Sequence, residues 1–237
     1  MILWNFFKKL VPNYFRERLN ISRYAVNSNL LSITKNVKPG IVIDAGAGPI
    51  NYEYLFPDSK FLRTDMDKNN SSIQFASDLL HIPIKDNSVD TILNVSVLEH
   101  VIKPDVVIKE FYRILKPGGV LILSTTQNEP VHFVPHHYFN FTNFGLKYLF
   151  ENAGFEIKSI KPLGGFFWSL ARQIDHSLEI IYLRNTNKLF KIISYPLIII
   201  HAFIFNFFIH FILFYLDFLD VRKDKYTVGY MCYCIKK

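Results

Sequence analysis

The earliest sheet signal in the chain is a short and wholly apolar run. Residues 41–43 read Ile-Val-Ile, which is typical of a buried strand. Asp44 follows at the carboxyl end of the run, and Gly46 and Gly48 then allow the backbone to turn sharply. Because ligands of open α/β sheets bind beyond the carboxyl ends of the strands, this turn predicts a binding site.

The hydrophobic pattern downstream predicts alternating helices and strands. Short alternating or wholly apolar segments are typical of strands, and apolar positions three and four residues apart are typical of helices. Residues 116–119, Lys-Pro-Gly-Gly, predict a tight turn into a strand. Strands are predicted over residues 60–64, 73–76, 91–94, 120–124, 155–160 and 226–235, and helices over residues 21–36, 51–56, 104–115 and 143–152.

The residues around the glycine turn indicate which nucleotide it would bind. A dinucleotide fingerprint, G-x-G-x-x-G, needs a third glycine where Asn51 stands. The Asp44 carboxylate would repel a pyrophosphate, whereas it suits a ligand with an ammonium group, such as S-adenosylmethionine (SAM). Asp65 ends the second predicted strand about twenty residues after the loop, where an acid accepts hydrogen bonds from ribose hydroxyls. A NAD-dependent oxidoreductase is therefore the weaker alternative.

Five motifs in sequence order resemble those of the class I SAM-dependent methyltransferases of type 11. They are D-x-G-x-G from Asp44, the polar run at 81–90, Leu-Glu-His-Val at 98–101, E-x-x-R-x-L-K-P-G-G at 110–119 and Ala-Gly-Phe at 153–155. Ile50 replaces the third glycine that is usual in the family. The resemblance covers residues 38–165. It implies a Rossmann-like α/β sheet of seven strands in the order 3-2-1-4-5-7-6, with the last strand antiparallel and an apolar helical insertion before it.

The same resemblance implies SAM as the cofactor and assigns residues to it. In the family, an acid at the place of Asp78 accepts the exocyclic amine of adenine, and the next residue packs on the ring. The loop after the fourth strand borders the methionine end of SAM. The expected cofactor-binding residues are Asp44, Gly46, Gly48, Asp65, Asp78, Leu79 and Asn94.

A histidine-rich segment after the fifth strand resembles the family's lid over the acceptor pocket. The lid pattern H-x-x-P-x-x-Y-x-x-(Y/F)-T begins here at His132, and His136 and His137 lie inside it. One of these three histidines is the candidate general base. Glu99, in the Leu-Glu-His-Val loop, is the fourth catalytic candidate, and the neighbouring His100 is an alternative acid or base.

No metal site is expected from the sequence. His132 and His136 would share one face of a helix and could then bind a metal ion. Pro130 and Pro135, however, disfavour a helix over this segment.

Composition and charge bear on partners and compartment. Half of the 237 residues are hydrophobic, with 23 Phe and 13 Tyr, and the net charge is +7. The basic residues flank apolar segments instead of forming a stripe, so nucleic acid is not expected as a partner and a membrane surface is favoured. Cys232 and Cys234 alternate along a predicted strand and are interpreted as small core residues in a reducing compartment, the cytoplasm.

Two apolar segments raise the question of membrane contact. Residues 1–19 combine aromatic and basic side chains at helical spacing, as in an interfacial anchor or a helix over the active-site mouth. Residues 192–216 carry no charge, and the part from residue 197 is long enough to cross a bilayer. A helical cap in or against the cytoplasmic leaflet is favoured, because Asn206, His210 and Asp217 would form a polar stripe along the helix. A soluble cap or dimer interface and a true span are the alternatives.

These patterns predict four parts of the chain and one activity. The parts are an N-terminal helical segment (1–37), a SAM-binding core (38–165), an apolar helical cap or membrane-contacting insertion (166–225) and the final strand (226–237). The predicted activity is SAM-dependent methylation, preferably on oxygen, of a small-molecule, glycan or lipid-linked acceptor at the inner face of the membrane. A catalytically inactive SAM-fold protein that anchors a partner enzyme is the main alternative.

Overall fold

A seven-stranded sheet forms the centre of the protein. The computed structural model describes residues 21–183 and 208–237. The sheet order is β3-β2-β1-β4-β5-β7-β6, and β7 runs antiparallel to both of its neighbours. The predicted strand order and the antiparallel last strand are therefore confirmed. The strands are β1 Ile41–Ala45, β2 Lys60–Asp65, β3 Phe75–Ala76, β4 Val89–Val95, β5 Leu115–Thr126, β6 Phe155–Pro162 and β7 Gly229–Lys236.

Five helices accompany the strands in the described part of the chain: α1 Ile21–Thr34, α2 Pro104–Ile114, α3 Asn143–Ala153, α4 Phe166–Leu183 and α5 His210–Leu216. Local sequence fixes the ends of α3. The Thr142 hydroxyl accepts a hydrogen bond from the Gly145 amide, and Gly154 ends the helix in the left-handed region at φ 99°. The prediction of a helix over 143–152 is thus confirmed.

The residues group into two compact units. A core unit comprises residues 28–162 and 229–237, and therefore all seven strands. A helical unit comprises residues 21–27, 163–183 and 208–228 among those described. The predicted domain boundaries at residues 37, 165 and 225 stay predictions.

The interior of the core unit consists of the central strands. Ile43, Ile92 and Leu121 are fully buried, as expected for parallel strands covered on both faces. Cys232 and Cys234 are also buried on β7 and do not bridge, which confirms their interpretation as small core residues.

Ion pairs account for the charged residues in two of the motifs, the polar run at 81–90 and E-x-x-R-x-L-K-P-G-G at 110–119. The Arg113 guanidinium bonds to the carboxylates of Glu110 and Asp86 and to the Ile82 carbonyl. The E-x-x-R pair of α2 therefore fastens the loop before β4.

Three local predictions were wrong in extent. The helix expected over residues 51–56 is a single 3₁₀ turn, Glu53–Leu55, because Pro57 follows at once. The third strand is two residues long. The fifth strand was expected over residues 120–124, but β5 begins at Leu115 and includes the Lys-Pro-Gly-Gly segment. This segment shifts the register between β4 and β5, with Gly118 at φ 77°.

The helical unit is built around one buried carboxylate. Asp217 is fully buried and accepts hydrogen bonds from the Gly165 and Trp168 amides and from Lys223 Nζ at 2.9–3.1 Å. It thereby satisfies free amides at the start of α4. Asp217 is thus an internal acceptor, and its predicted partner in a polar stripe, Asn206, lies outside the described residues.

The two segments expected to contact a membrane lie largely outside the described residues, namely 1–19 entirely and 192–207 of the apolar stretch. Within residues 21–183 and 208–237, no helix combines the length and the hydropathy that a membrane crossing requires.

Candidate cofactor and acceptor site

The predicted cofactor acids lie at one edge of the sheet. β1, β2 and β3 are parallel neighbours, so their carboxyl ends meet. Asp44 lies next to the end of β1, Asp65 is the last residue of β2, and Asp78 follows two residues after β3. This edge carries all three acids.

The two glycines of the turn differ in what they require. Gly46 has φ 83°, and a Cβ built there would lie 2.6 Å from the Val97 side chain. Its amide donates to the Thr64 carbonyl at 2.9 Å, so Gly46 is needed by the fold itself. Gly48, by contrast, has no such φ, and its Cβ would meet no atom of the described residues within 4 Å. The absence of a side chain at Gly48 leaves room for a ligand.

Asp44 is held by an arginine that the sequence analysis missed. Arg63 Nε lies 3.2 Å from Asp44 Oδ2, and both side chains are at most 5% exposed. The Arg63 Nη2 group also donates to the carbonyls of Gly48 and Ile50, at 2.6 and 2.9 Å. Burial raises the pKa of the Asp44 carboxyl to about 6, although the hydrogen bond and charge of Arg63 lower it. The Asp44–Arg63 pair therefore holds the glycine turn in place.

Asp65 and Asp78 each keep one carboxylate oxygen for a ligand. Oδ1 of Asp65 accepts the Asp67 amide, and Oδ1 of Asp78 accepts the Leu80 amide, both at 2.9 Å. Within residues 21–183 and 208–237, Oδ2 of neither acid accepts a hydrogen bond. These bonds orient the two side chains and leave the second oxygen of each carboxylate as an acceptor for a ligand.

The other two predicted cofactor residues are buried. Leu79 belongs to the apolar core, so only its backbone is left for an adenine ring. Asn94 is fully buried, and its Nδ2 donates to the Ala45 carbonyl at 2.7 Å, which ties β4 to the end of β1. Its Oδ1 has no hydrogen-bond partner among the described residues. An unpartnered acceptor beside the glycine turn fits a donor from a bound ligand.

Glu99 lies in the 3₁₀ turn Leu98–His100, directly after β4. It is fully buried, and its Oε2 accepts the Thr125 hydroxyl at 2.7 Å. Burial raises the pKa of its carboxyl, while the Thr125 hydroxyl and the nearby His132 ring lower it. The Glu99 carbonyl accepts the Tyr138 amide at 2.9 Å, so this turn also anchors the histidine-rich segment.

The structure brings three imidazoles together beyond the carboxyl ends of β4 and β5, those of His100, His132 and His137. The rings of His132 and His137 lie 4.2 Å apart between centroids, and His100 lies 4.9 Å from His132. His136 is exposed, but its carbonyl lies 2.7 Å from His100 Nδ1. Burial and the neighbouring imidazoles lower the pKa of His100 and of His137. His100, which the sequence offered only as an alternative, is thus a full member of the cluster.

Comparison with known proteins finds a similar domain in the part of the chain that forms this edge. A family model described as a methyltransferase domain matches residues 53–123, which run from the turn after β1 into β5. This match supports a class I SAM-dependent methyltransferase.

Three similar proteins illustrate the range of the family. A protein of Mycolicibacterium smegmatis, described as a probable S-adenosylmethionine-dependent methyltransferase, is 31% identical over 105 residues, which are 41% of this chain and 39% of that protein. The malonyl-[acyl-carrier protein] O-methyltransferase of Dechloromonas aromatica is 25% identical over 169 residues, 67% of this chain and 63% of the relative. The solved structure of phosphoethanolamine N-methyltransferase 2 of Haemonchus contortus with bound SAM has a TM-score of 0.54 at 14% identity. The match covers 88% of this chain and 52% of that protein, and at this identity it shows a similar fold alone. The chain thus spans less than two thirds of the length of these curated relatives.

The residues at this edge fit SAM, the cofactor of the methyltransferases to which the chain is similar. Three features lie at the end of the sheet where a nucleoside binds in such folds. They are the open space at Gly48, the second carboxylate oxygens of Asp65 and Asp78, and the unpartnered Oδ1 of Asn94. The sequence could not reveal Arg63, because its pairing with Asp44 depends on the register of β1 and β2.

Proposed function

We propose that this chain transfers the methyl group of SAM to an acceptor bound beside the histidine cluster. The observation that carries the proposal is that Glu99 and His132 follow β4 and β5. These strands run parallel to β1, so their carboxyl ends lie at the same edge of the sheet as the cofactor acids. A hydroxyl acceptor must lose a proton as its oxygen attacks, and a base beside it makes that step feasible. Methylation on oxygen is therefore favoured.

In this proposal the first three strands hold the cofactor. Asp65 accepts hydrogen bonds from the ribose hydroxyls, and Asp78 accepts the adenine amine. Gly46 shapes the turn, Gly48 allows close approach, and Asp44 holds the turn through Arg63. The backbone of Leu79 and the amide of Asn94 complete the set. When bound, SAM supplies an electrophilic methyl group on a sulfonium.

The acceptor side consists of Glu99 and the histidine segment. One of His132, His136 and His137 takes the acceptor proton, and the buried Glu99 carboxylate lies beside His132. The protein contributes chiefly by holding the acceptor oxygen in line with the methyl carbon and by excluding water.

The surface of the segment favours an apolar acceptor. Val131, Phe133 and Val134 are each more than 70% exposed, and Ile102, after the Glu99 turn, is 64% exposed. Contiguous exposed apolar side chains mark binding surfaces. A lipid-linked sugar, a quinone or another lipid-like small molecule fits this rim, and a free glycan is the alternative.

Transfer of a labelled methyl group tests the proposal. The whole chain would be incubated with methyl-labelled SAM and with quinones, polyprenyl-linked sugars, free sugars and transfer RNA in parallel. We expect label in a lipid-like or sugar acceptor and none in the RNA. Glu99→Gln should lower turnover strongly while SAM still binds. If SAM binds and no lipid or sugar acceptor is labelled, the inactive anchoring protein is the better account.

We also propose that the helical unit contacts an anionic membrane surface from the cytoplasmic side. The described end of the apolar stretch and the residues just after it expose a row of large apolar side chains at roughly helical spacing, and Arg222 and Lys225 are exposed after this row. The row comprises Phe208, Phe211, Ile212, Tyr215, Phe218, Leu219 and Val221.

Flotation with anionic liposomes tests the membrane contact. The double variant Phe211→Ser/Phe218→Ser should lower the bound fraction several-fold. Phe144→Ser is the matched control, because Phe144 is 78% exposed but belongs to the core unit. Failure of the unaltered chain to float contradicts the contact, and a dimer that the double variant abolishes would instead assign the row to a homodimer interface.

A further inference from the structure

Glu99, His100 and His132 converge where the turn after β4 meets the segment after β5. One ligand atom of each of these side chains lies within 4.8 Å of the others. Glu99 is fully buried, and its Oε1 accepts no hydrogen bond in the described part of the chain. A buried carboxylate oxygen without a partner is costly unless a cation or a proton donor meets it.

Backbone carbonyls set the tautomers of the two histidines. His100 Nδ1 lies 2.7 Å from the His136 carbonyl, and His132 Nδ1 lies 2.9 Å from the Pro130 carbonyl. Because a carbonyl oxygen can only accept, each Nδ1 carries the proton. In a neutral ring with this tautomer, the lone pair lies on Nε2. Histidines that bind metal ions are oriented in this way, with the second ring nitrogen donating to a carbonyl or carboxylate.

The carboxylate is oriented in the same manner. The Thr125 hydroxyl donates to Glu99 Oε2, which directs the other oxygen, Oε1, away from that bond. All three side chains therefore have one nitrogen or oxygen fixed by the protein and one available.

We propose that Glu99, His100 and His132 bind a divalent metal ion of the zinc type. Two imidazole nitrogens and one carboxylate oxygen suit Zn²⁺ and its first-row neighbours better than Mg²⁺ or Ca²⁺. Donor atoms of a tetrahedral zinc site lie roughly 3.3 Å apart, given bonds of about 2 Å. The ligand atoms lie within 4.8 Å of one another, so they need to approach by no more than roughly 1.5 Å to reach that spacing.

This ligand set differs from the pair considered in the sequence. There, His132 and His136 could serve only on a common helix, and the two prolines disfavoured that helix. In the structure the second imidazole comes from His100, 32 positions earlier in the chain, and His136 contributes only its carbonyl.

Three protein ligands leave the ion an open coordination position, which is typical of catalytic zinc sites. We assign that position to an oxygen of the acceptor. This role rests on the proposed methyl transfer, but binding of the ion does not.

Zinc binding to the tag-free whole chain tests the inference. After dialysis against a chelator, the chain would be titrated with ZnCl₂ in competition with a chromogenic chelator, without SAM. We expect one zinc ion per chain. His132→Ala and Glu99→Gln should each weaken zinc binding at least ten-fold. His136→Ala should leave it unchanged, since that variant keeps the carbonyl that orients His100.

Two further measurements keep the outcomes distinct. Cobalt substitution of the unaltered chain should give the visible absorption of a low-coordinate Co²⁺ site, whether or not the Glu99 variant folds. SAM titration of the zinc-free chain reports on the proposed function separately. Absence of stoichiometric zinc overturns the metal site, as does equal loss in His136→Ala and His132→Ala, whereas zinc binding without SAM binding overturns only the methyltransferase proposal.

Discussion

Asp44 and Arg63 face each other across β1 and β2, and Arg63 Nε lies 3.2 Å from Asp44 Oδ2. The same guanidinium bonds to the carbonyls of Gly48 and Ile50. One buried ion pair therefore connects the family's acid to the loop that would contact the cofactor. The acid acts on the loop through Arg63.

Removal of Arg63 should damage both the fold and cofactor binding. Arg63→Ala leaves the Asp44 charge buried without a partner, so the free energy of unfolding should fall by about 3–5 kcal/mol. Arg63→Lys keeps the charge but cannot reach the carboxylate and both carbonyls together, so a smaller loss is expected. Urea unfolding measures the first effect and SAM titration the second. Lys158→Ala is the control, since Lys158 forms an exposed pair with Glu156. Equal stability of Arg63→Ala and the control would contradict this role.

Ionisation of Asp44 should make stability depend on pH. Its pKa is about 6 in the folded protein and 3.8 ordinarily. An acid whose pKa is raised by folding binds its proton more tightly in the folded chain. Its contribution to stability is thus present at low pH and is lost as the pH rises through about 6.

The comparison of the unaltered chain with Asp44→Asn isolates this effect. The asparagine side chain of the variant does not titrate, so between about pH 4 and pH 7.5 the unaltered chain should lose about 2.4 kcal/mol more unfolding free energy than the variant. The loss of the Arg63 pair in the variant is a constant offset. Parallel stability curves over this range would exclude an elevated pKa at Asp44.

The two glycines of the turn should separate folding from binding. Gly46→Ala meets Val97 at 2.6 Å and an unfavourable φ, so it should destabilise the protein by about 2–4 kcal/mol. The added methyl group of Gly48→Ala meets no atom in the described part of the chain and should change stability by less than about 0.5 kcal/mol. It should nevertheless weaken SAM binding at least ten-fold, because its methyl group occupies the approach to the loop. Unaltered SAM affinity in Gly48→Ala would show that the ligand does not approach there.

Sequence patterns predicted the sheet well because each strand carries its own signal. The apolar run of β1, the cap at Thr142 and the glycine at 154 are local features, and the structure has the expected elements at each. The helix after the glycine turn was over-predicted, because its apolar residues belong to a single 3₁₀ turn stopped by Pro57.

The site was predicted less completely because its contacts are not local. Asp65 and Asp78 could be placed, since each stands at or just after a strand end. Arg63 and Thr125 could not, since their pairing with Asp44 and Glu99 depends on strand register and on the path of the chain. The same holds for His100, which lies beside His132 because β4 and β5 are parallel neighbours in the sheet.

The most direct test of the account is calorimetric titration of the whole chain with SAM, carried out on the unaltered protein and on Asp65→Ala. Asp58→Asn is the matched control, because Asp58 is exposed and lies before β2, at the other end of the strand that Asp65 completes. The account predicts SAM binding that Asp65→Ala weakens by about 1–3 kcal/mol and Asp58→Asn leaves unchanged. No heat at millimolar SAM, or equal affinity in Asp65→Ala and the unaltered chain, would contradict it.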